Sequence, residues 1–302
     1  MPIWNDIFNE IQKTAVQTPH GLAFDYDNIR RKYIKDFAEY RNRNVIVYYS
    51  DFLTQGKNTN LDINDGDMVG FMNAVHGLDK SKGLDLIIHT PGGFPTATES
   101  IVNYLNSVFD GDIEIFVPHL AMSAGTMLAC SSKKIWMGKQ SSLGPIDPQF
   151  NGIAAFNIKK EFEDAKQDLE TNPDSFRNWQ IILSKYHPAF YYTVLDAIEL
   201  SSQLVEKWLE KYMFKNQPDA KQKSKTITKK LNNNTGSHSK HFSLNDCLEL
   251  GLIVESFESN PDIQDKVLSI YHCFQIAGSG TNLCKIIENN IGKCFIQNNV
   301  VR

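Results

Sequence analysis

Glu114-Ile-Phe-Val-Pro-His-Leu-Ala-Met-Ser-Ala-Gly-Thr-Met-Leu-Ala-Cys130 is the stretch that decides the fold. An apolar strand runs into a turn of small residues, Ser123 stands at the turn, and an apolar helix follows. A serine held where a strand breaks into a helix projects its hydroxyl beyond the sheet, with the helix N-terminus aimed at any negative charge that develops beside it. The competing reading of such a serine is a plain helix N-cap. A second stretch decides between them.

Leu84-Asp-Leu-Ile-Ile-His-Thr-Pro-Gly-Gly-Phe-Pro-Thr-Ala97 repeats the grammar: a buried strand, a Pro91-Gly92-Gly93 turn, then a helical stretch from Thr96 to Val108. Two strand ends therefore meet at one sheet edge. Gly92 and Gly93 lack side chains, so their N–H groups can approach a reacting carbonyl and, with the N–H of Ala124, supply an oxyanion hole. Alone, a Gly-Gly pair reads as a tight turn. Beside the serine elbow it reads as half of an acyl-transfer site.

His89-Thr-Pro-Gly-Gly93, Ala121-Met-Ser-Ala-Gly-Thr126 and Ser142-Leu-Gly-Pro-Ile-Asp-Pro-Gln149, in that order, resemble the serine dehydrogenase proteinase family. That family belongs to the Clp/crotonase superfamily, near signal peptide peptidase A. The likeness is strongest over about residues 40 to 150 and returns in Asp246-Cys-Leu-Glu-Leu-Gly-Leu-Ile-Val254. It implies an α/β, ClpP/crotonase-like spiral fold with a largely parallel sheet and flanking helices. It also implies a serine peptidase with Ser123 as nucleophile and an oxyanion hole from the Gly-Gly turn and Ala124, acting on peptide or protein substrates. Relatives assemble into rings or dimers, so the resemblance implies a homo-oligomer. No NAD chemistry follows from the family's label, because the chain has no dinucleotide fingerprint.

The resemblance leaves the base to be found. Relatives activate the serine with a His and an Asp, or with a lysine whose ammonium is destabilised by burial. The region where the Clp pattern carries its His reads Ser-Leu-Gly-Pro-Ile-Asp-Pro-Gln, with no His. Position then favours Lys185, in Ile182-Leu-Ser-Lys-Tyr-His-Pro188, over Lys159, Lys160 and Lys166. His187 could reach the same cleft, although a histidine at a helix start is the plainer reading. Asp147 is a candidate to line the cleft or orient a base, and Asp before Pro equally marks a turn. His89 and His119 read as hydrogen-bonded structural residues on or beneath the sheet, and His238 and His241 fall in a polar loop.

Composition bounds the rest. With 302 residues, 41% of them hydrophobic, the chain can bury one large core or two modest ones. A net charge of −4 gives no case for nucleic-acid binding. Cys130, Cys247, Cys273, Cys284 and Cys294 show no Cys-x-x-Cys spacing, which argues against a disulfide framework or a zinc site and suits a reducing cytoplasm. No membrane span, metal or organic cofactor is expected.

Along the chain the reading is an N-terminal helical cap (1–43), a catalytic domain (44–257) with a basic loop at 215–240, and a C-terminal extension (258–302). Within the first two units the strands are Val45 to Tyr49, Leu84 to His89, the run before Ser123, and Lys134 to Met137. Helices follow over Phe156 to Leu169, Phe176 to Leu183 and Ala189 to Met213. The extension reads as strand Val267 to Phe274, a Gly278-Ser-Gly-Thr281 turn, helix Asn282 to Asn290, and strand Lys293 to Gln297. Two further functions compete with the peptidase: a catalytically silent scaffold binding a protein partner, and a crotonase-like enzyme of acyl-CoA esters.

Overall fold

The computed structural model describes residues 4–19, 21–54, 60–233 and 240–299. In chain order it comprises α1 (Trp4–Gln12), the hairpin β1 (Val16–Thr18) and β2 (Gly21–Ala23), α2 (Tyr26–Arg41), β3 (Asn44–Ser50), α3 (Asp67–Val75), β4 (Leu84–His89) and α4 (Pro95–Val108). Next come β5 (Ile113–Val117), β6 (Leu120–Ala121), α5 (Ala124–Cys130), β7 (Lys134–Met137), β8 (Ser142–Leu143), β9 (Gln149–Phe150), β10 (Ile153–Ala154), α6 (Ala155–Thr171) and α7 (Phe176–Leu183). The chain ends with α8 (Phe190–Trp208), α9 (Ala220–Asn233), α10 (Leu244–Leu250), β11 (Val254–Ser256), α11 (Pro261–Gly280), β12 (Leu283–Asn289) and β13 (Cys294–Asn298).

Seven strands form the central sheet in the order β11-β7-β5-β4-β3-β12-β13. The pairs from β11 to β3 are parallel, and β12 and β13 close the far edge as antiparallel strands. Strands β3, β4, β5 and β7 are largely buried and mostly apolar because helices cover each side, with Asp85 and Glu114 ion-paired to Arg41 among them. One face packs Tyr48, Leu86, Ile88, Ile115 and Met137 against α3, α4, α5, α8, α9 and α10. The other packs Val47, Tyr49, Ile87 and Phe116 against α2 and α11. This three-layer arrangement is the α/β fold with a largely parallel sheet that the strand and helix alternation predicts.

Three stretches differ from the sequence reading. The basic stretch expected as a loop contains helix α9 instead: Ala220, Ser224, Ile227, Thr228 and Leu231 recur at helical spacing and are buried, while the lysines between them face outward. His238, in the same stretch, lies outside the described residues.

Residues 267–274, read as a strand, lie inside α11, which Asn260 caps and Pro261 opens. A continuous apolar run does not reveal its period, but Ile263, Val267, Ile270, Phe274 and Ala277 are the positions that pack on the sheet. Conversely, 283–289, read as a helix, is strand β12, buried along its whole length with Lys285, Glu288 and Asn289 inside. Those polar residues gave it a surface-helix look. The C-terminal strands thus belong to the central sheet, and α2 to one of its covering layers.

Beyond the main core, α6 and the N-terminal half of α8 form an arm with its own small cluster around Ala155, Ile158 and Val194. The C-terminal half of α8 reaches the main core through Leu204, Val205 and Trp208.

Candidate active site

The elbow forms as the strand-to-helix reading predicts. Ser123 has φ 51° and ψ −114°, a conformation in which a side chain's Cβ is crowded. Holding a non-glycine residue there costs on the order of 1–3 kcal/mol, so the surroundings must over-determine it. They do. Thr90 donates its N–H to Leu120 O at 3.0 Å and accepts the N–H of Met122 at 3.1 Å, stitching the end of β4 to the turn. On the far side, Gly125 N–H bonds Met122 O at 2.8 Å and Met127 N–H bonds Ser123 O at 3.1 Å, starting α5 immediately. The Thr126 hydroxyl lies 2.9 Å from the carbonyls of both Ala121 and Gly144 and accepts the N–H of Gly144 at the same distance.

Ser123 is half-buried, and its hydroxyl has no hydrogen-bond partner among the described residues. A side-chain cap is also missing, so the N-cap reading of this serine fails.

The Gly-Gly turn abuts the elbow. A Cβ on Gly92 would sit 2.6 Å from Met122 O, 2.7 Å from Ser123 Cβ and 3.1 Å from Ala124 N. Gly93 forms a parallel bridge with Ile63: Ile63 N–H donates to Gly92 O at 2.7 Å and Phe94 N–H to Ile63 O at 2.9 Å. In such a bridge the N–H of the opposing residue points to the other side. The N–H groups of Gly93 and Ala124 accordingly have no acceptor among the described residues. Gly92 is a correction: its N–H is donated to Thr90 Oγ1 at 3.1 Å, so it provides room for the elbow and not a free donor.

The expected base is not brought to this place. Lys185 lies exposed in the turn between α7 and α8, without the burial a lysine base needs. Roughly 20 Å of helix separate the start of α8 from the residues that pack near α5. His187, likewise exposed, sets Nδ1 2.6 Å from Pro188 O and stays at the helix start. Lys160 and Lys166 are exposed on α6. Lys159 is half-buried in the first turns of α6 and ion-pairs with Glu163 at 3.7 Å. Asp147 is fully buried and engaged by its surroundings, so it does not open onto a cleft.

Sequence reasoning missed the residues that hold the elbow from outside. Gly144 is one, since a Cβ there would lie 2.7 Å from Met122 Cε and 3.1 Å from Ser123 N. Ile63 is another, and nothing in its local pattern announces a bridge to residue 93. Cavity size is no guide either. A cavity of about 510 Å³ beside Asn106, Gly111 and Lys211 and one of about 400 Å³ beside Lys229 and Phe242 both exclude Ser123.

Below the elbow, His89 stacks among Phe52, Tyr49 and His119, at 4.8, 5.3 and 5.5 Å between ring centroids. His119 Nδ1 lies 2.9 Å from the Tyr271 hydroxyl. Burial, with His119 alongside as a second cause, pushes the His89 imidazole down to about 3. Its unfolded value is near 6.5, so above that pH both states are neutral and the stabilisation is complete. As pH falls from about 6.5 towards 3, the unfolded chain takes a proton that the folded one refuses. Stability should then drop by up to about 1.4 kcal/mol per pH unit from this group. Denaturant midpoints at pH 7, 5 and 4 measure it, and His89→Phe should flatten the slope; an equal slope in the variant would refute this account.

Among the described residues no helix is long and apolar enough to cross a membrane, and no group of three His, Cys, Asp or Glu side chains could hold a metal ion. All five cysteines are free.

Two uncharacterised proteins of Methanocaldococcus jannaschii are similar to the chain. One is 28% identical over 190 residues, 63% of this chain and 59% of its own length; the other is 25% identical over 210 residues, 69% and 62%. The chain thus spans about three fifths of these curated relatives. Among solved structures, a serine-to-alanine mutant of the 1510-N membrane-bound stomatin-specific protease aligns with 68% of this chain and 79% of its own, at 17% identity and a TM-score of 0.38. Residues 18–275, which include β3 to β11, the Gly-Gly turn and the serine elbow, match the family described as ClpP-like SDH-type serine proteinases, and the chain belongs to that family.

Proposed function

We propose that the protein cleaves peptide bonds through an acyl-enzyme on Ser123. The observation that carries this reading is the strained serine whose hydroxyl has no partner among the described residues, set against a turn whose Gly93 N–H, like that of Ala124, has no acceptor among them. Strain of this kind persists where the surrounding structure over-determines it, and it clusters at active sites. Ser123 Oγ attacks the scissile carbonyl carbon and gives its proton to a base. Gly93 and Ala124 N–H groups take the negative charge on oxygen, worth about 10²–10³ in rate per donor. Collapse breaks the C–N bond as the base returns the proton to the leaving amine. A water, deprotonated by the same base, then hydrolyses the ester and frees the serine.

For the base we favour Lys159 over Lys185. α6 begins at Ala155, whose N–H is tied to Pro148 O at 2.8 Å, and this is the end of the segment that runs past Ser123 through Gly144. Lys159 is therefore one helical turn into α6 from that tie and is half-buried, while Lys185, next to Tyr186 whose ring packs on Phe162 at 5.2 Å between centroids, is exposed. Lys159→Met should reduce kcat by at least about a hundredfold, the lower end of general-base effects, with Lys159→Arg equally impaired and Lys185→Met near wild type. The reverse pattern would restore Lys185. Normal turnover in both would leave the base elsewhere.

A reducing compartment fits the five free cysteines, and we assign the protein to the cytoplasm on that ground. The acyl-CoA reading gives the strained serine no task, which is why we set it below the peptidase. Reaction with a fluorophosphonate probe tests the proposal: Ser123 should carry the adduct, and labelling at other sites only, or none, would remove it.

A further inference from the structure

Among the described residues one lysine is completely buried, Lys285 on β12, at 1% exposure. Its ammonium donates to Asp67 Oδ1 at 2.7 Å and to the Asp62 carbonyl at 2.9 Å. Asp67, also 1% exposed, accepts on Oδ2 the Tyr48 hydroxyl at 2.9 Å and the N–H of Asn64 at 3.0 Å. The pair therefore grips the backbone on both sides of Ile63, at the carbonyl before it and the N–H after it. Ile63 is the residue that pairs with the Gly92–Phe94 turn.

We infer that the buried Lys285–Asp67 pair is a positioning device for the oxyanion site, fixing residues 62–64 so that the Ile63 bridge holds Gly93 N–H facing the elbow; the catalytic part of this inference rests on the peptidase reading. A buried ion pair contributes little net stability compared with apolar residues of the same volume, so stability alone does not account for it. What apolar residues cannot do is donate to the Asp62 carbonyl and accept the Asn64 N–H. Those two bonds set where Ile63 lies, and a backbone donor displaced by about 1 Å can cost up to a hundredfold in rate. Ser50 adds a third tie upstream, with its hydroxyl on Leu61 O at 2.8 Å. The lysine comes from the C-terminal hairpin, beyond residue 275 where the family match ends. A segment outside the matched part thus reaches across the sheet edge to the site.

The test uses the full chain with Lys285→Met and with the double variant Lys285→Met/Asp67→Asn, which leaves no uncompensated buried charge and so separates position from stability. In the folded double variant, phosphonylation of Ser123 and kcat for a peptide substrate should each fall about tenfold or more, with KM within twofold. Amide exchange at Ile63 and Phe94 should accelerate, while Leu86 and Ile88 in β4 stay protected. Exchange reads the brace whether or not the protein proves to be a peptidase. Unchanged exchange at Ile63 and Phe94 overturns the inference. Faster exchange with an unchanged phosphonylation rate also overturns it, because the turn then holds without the pair. Absence of wild-type labelling and turnover would count against the peptidase reading instead.

Discussion

Ser123→Ala should abolish peptide hydrolysis, with kcat falling by at least about three orders of magnitude, while circular dichroism and the denaturant midpoint stay close to wild type. Loss of the nucleophile leaves only binding and the oxyanion donors, which is why the loss is large. Stability should barely move because alanine carries the same Cβ into the same backbone at φ 51° and meets the same crowding. Ser123→Gly makes the complementary point. Glycine adopts that backbone without a Cβ penalty, so the variant should be equally inactive yet about 1 kcal/mol more stable than Ser123→Ala, after the entropy of the freer unfolded chain is subtracted. A glycine variant less stable than the alanine one would show that the elbow is not strained.

The second large effect is at Gly93. A Cβ there would lie 2.2 Å from Ile63 O and 2.3 Å from Ile63 N, both backbone atoms, at φ 155°. Neither side can yield without breaking the two hydrogen bonds that pair the turn with Ile63. Gly93→Ala should displace the donor and lower kcat/KM by at least about a hundredfold, the loss expected for one oxyanion contact. Gly92→Ala should do as much by a different route, pushing on Met122 O and Ser123 Cβ at 2.6 and 2.7 Å. Far-ultraviolet dichroism must show the fold intact for either result to count. Normal turnover in a folded Gly93→Ala protein would mean that this turn holds no developing charge.

The elbow and the Gly-Gly turn were legible because both are local. Each is a strand, a turn of small residues and a helix, written in consecutive positions, and glycine or a small residue is what the backbone there demands. Donor count was legible only in part. Gly92 and Gly93 look alike in the sequence, and it is Thr90 Oγ1 on one and Ile63 on the other that divides them into a spent donor and a free one.

The base was not legible, for a related reason. A lysine is identified as a base by its burial, burial depends on tertiary placement, and the position of Lys185 before a long helix says nothing about which end of that helix reaches the core. The C-terminal hairpin hid behind its own chemistry. Lys285 and Glu288 are charged yet wholly buried, Glu288 against Arg30 and Arg31 and Lys285 against Asp67, so their polarity suggested a surface helix where the sheet has a strand. Helix α9 was missed in the opposite sense, since seven of its residues being lysine or threonine conceals the buried face at Ala220, Ile227 and Leu231.

The central claim is that Ser123 forms a covalent ester during turnover. Rapid acid quenching of the 302-residue chain with a slowly deacylating peptide ester, followed by intact-mass and fragment measurement, tests it most directly. One acyl group per chain should appear on Ser123, at a rate matching the initial burst, and the adduct should be missing from Ser123→Ala. Steady turnover by the wild type with no acyl adduct on Ser123, or an undiminished adduct in Ser123→Ala, would contradict the account.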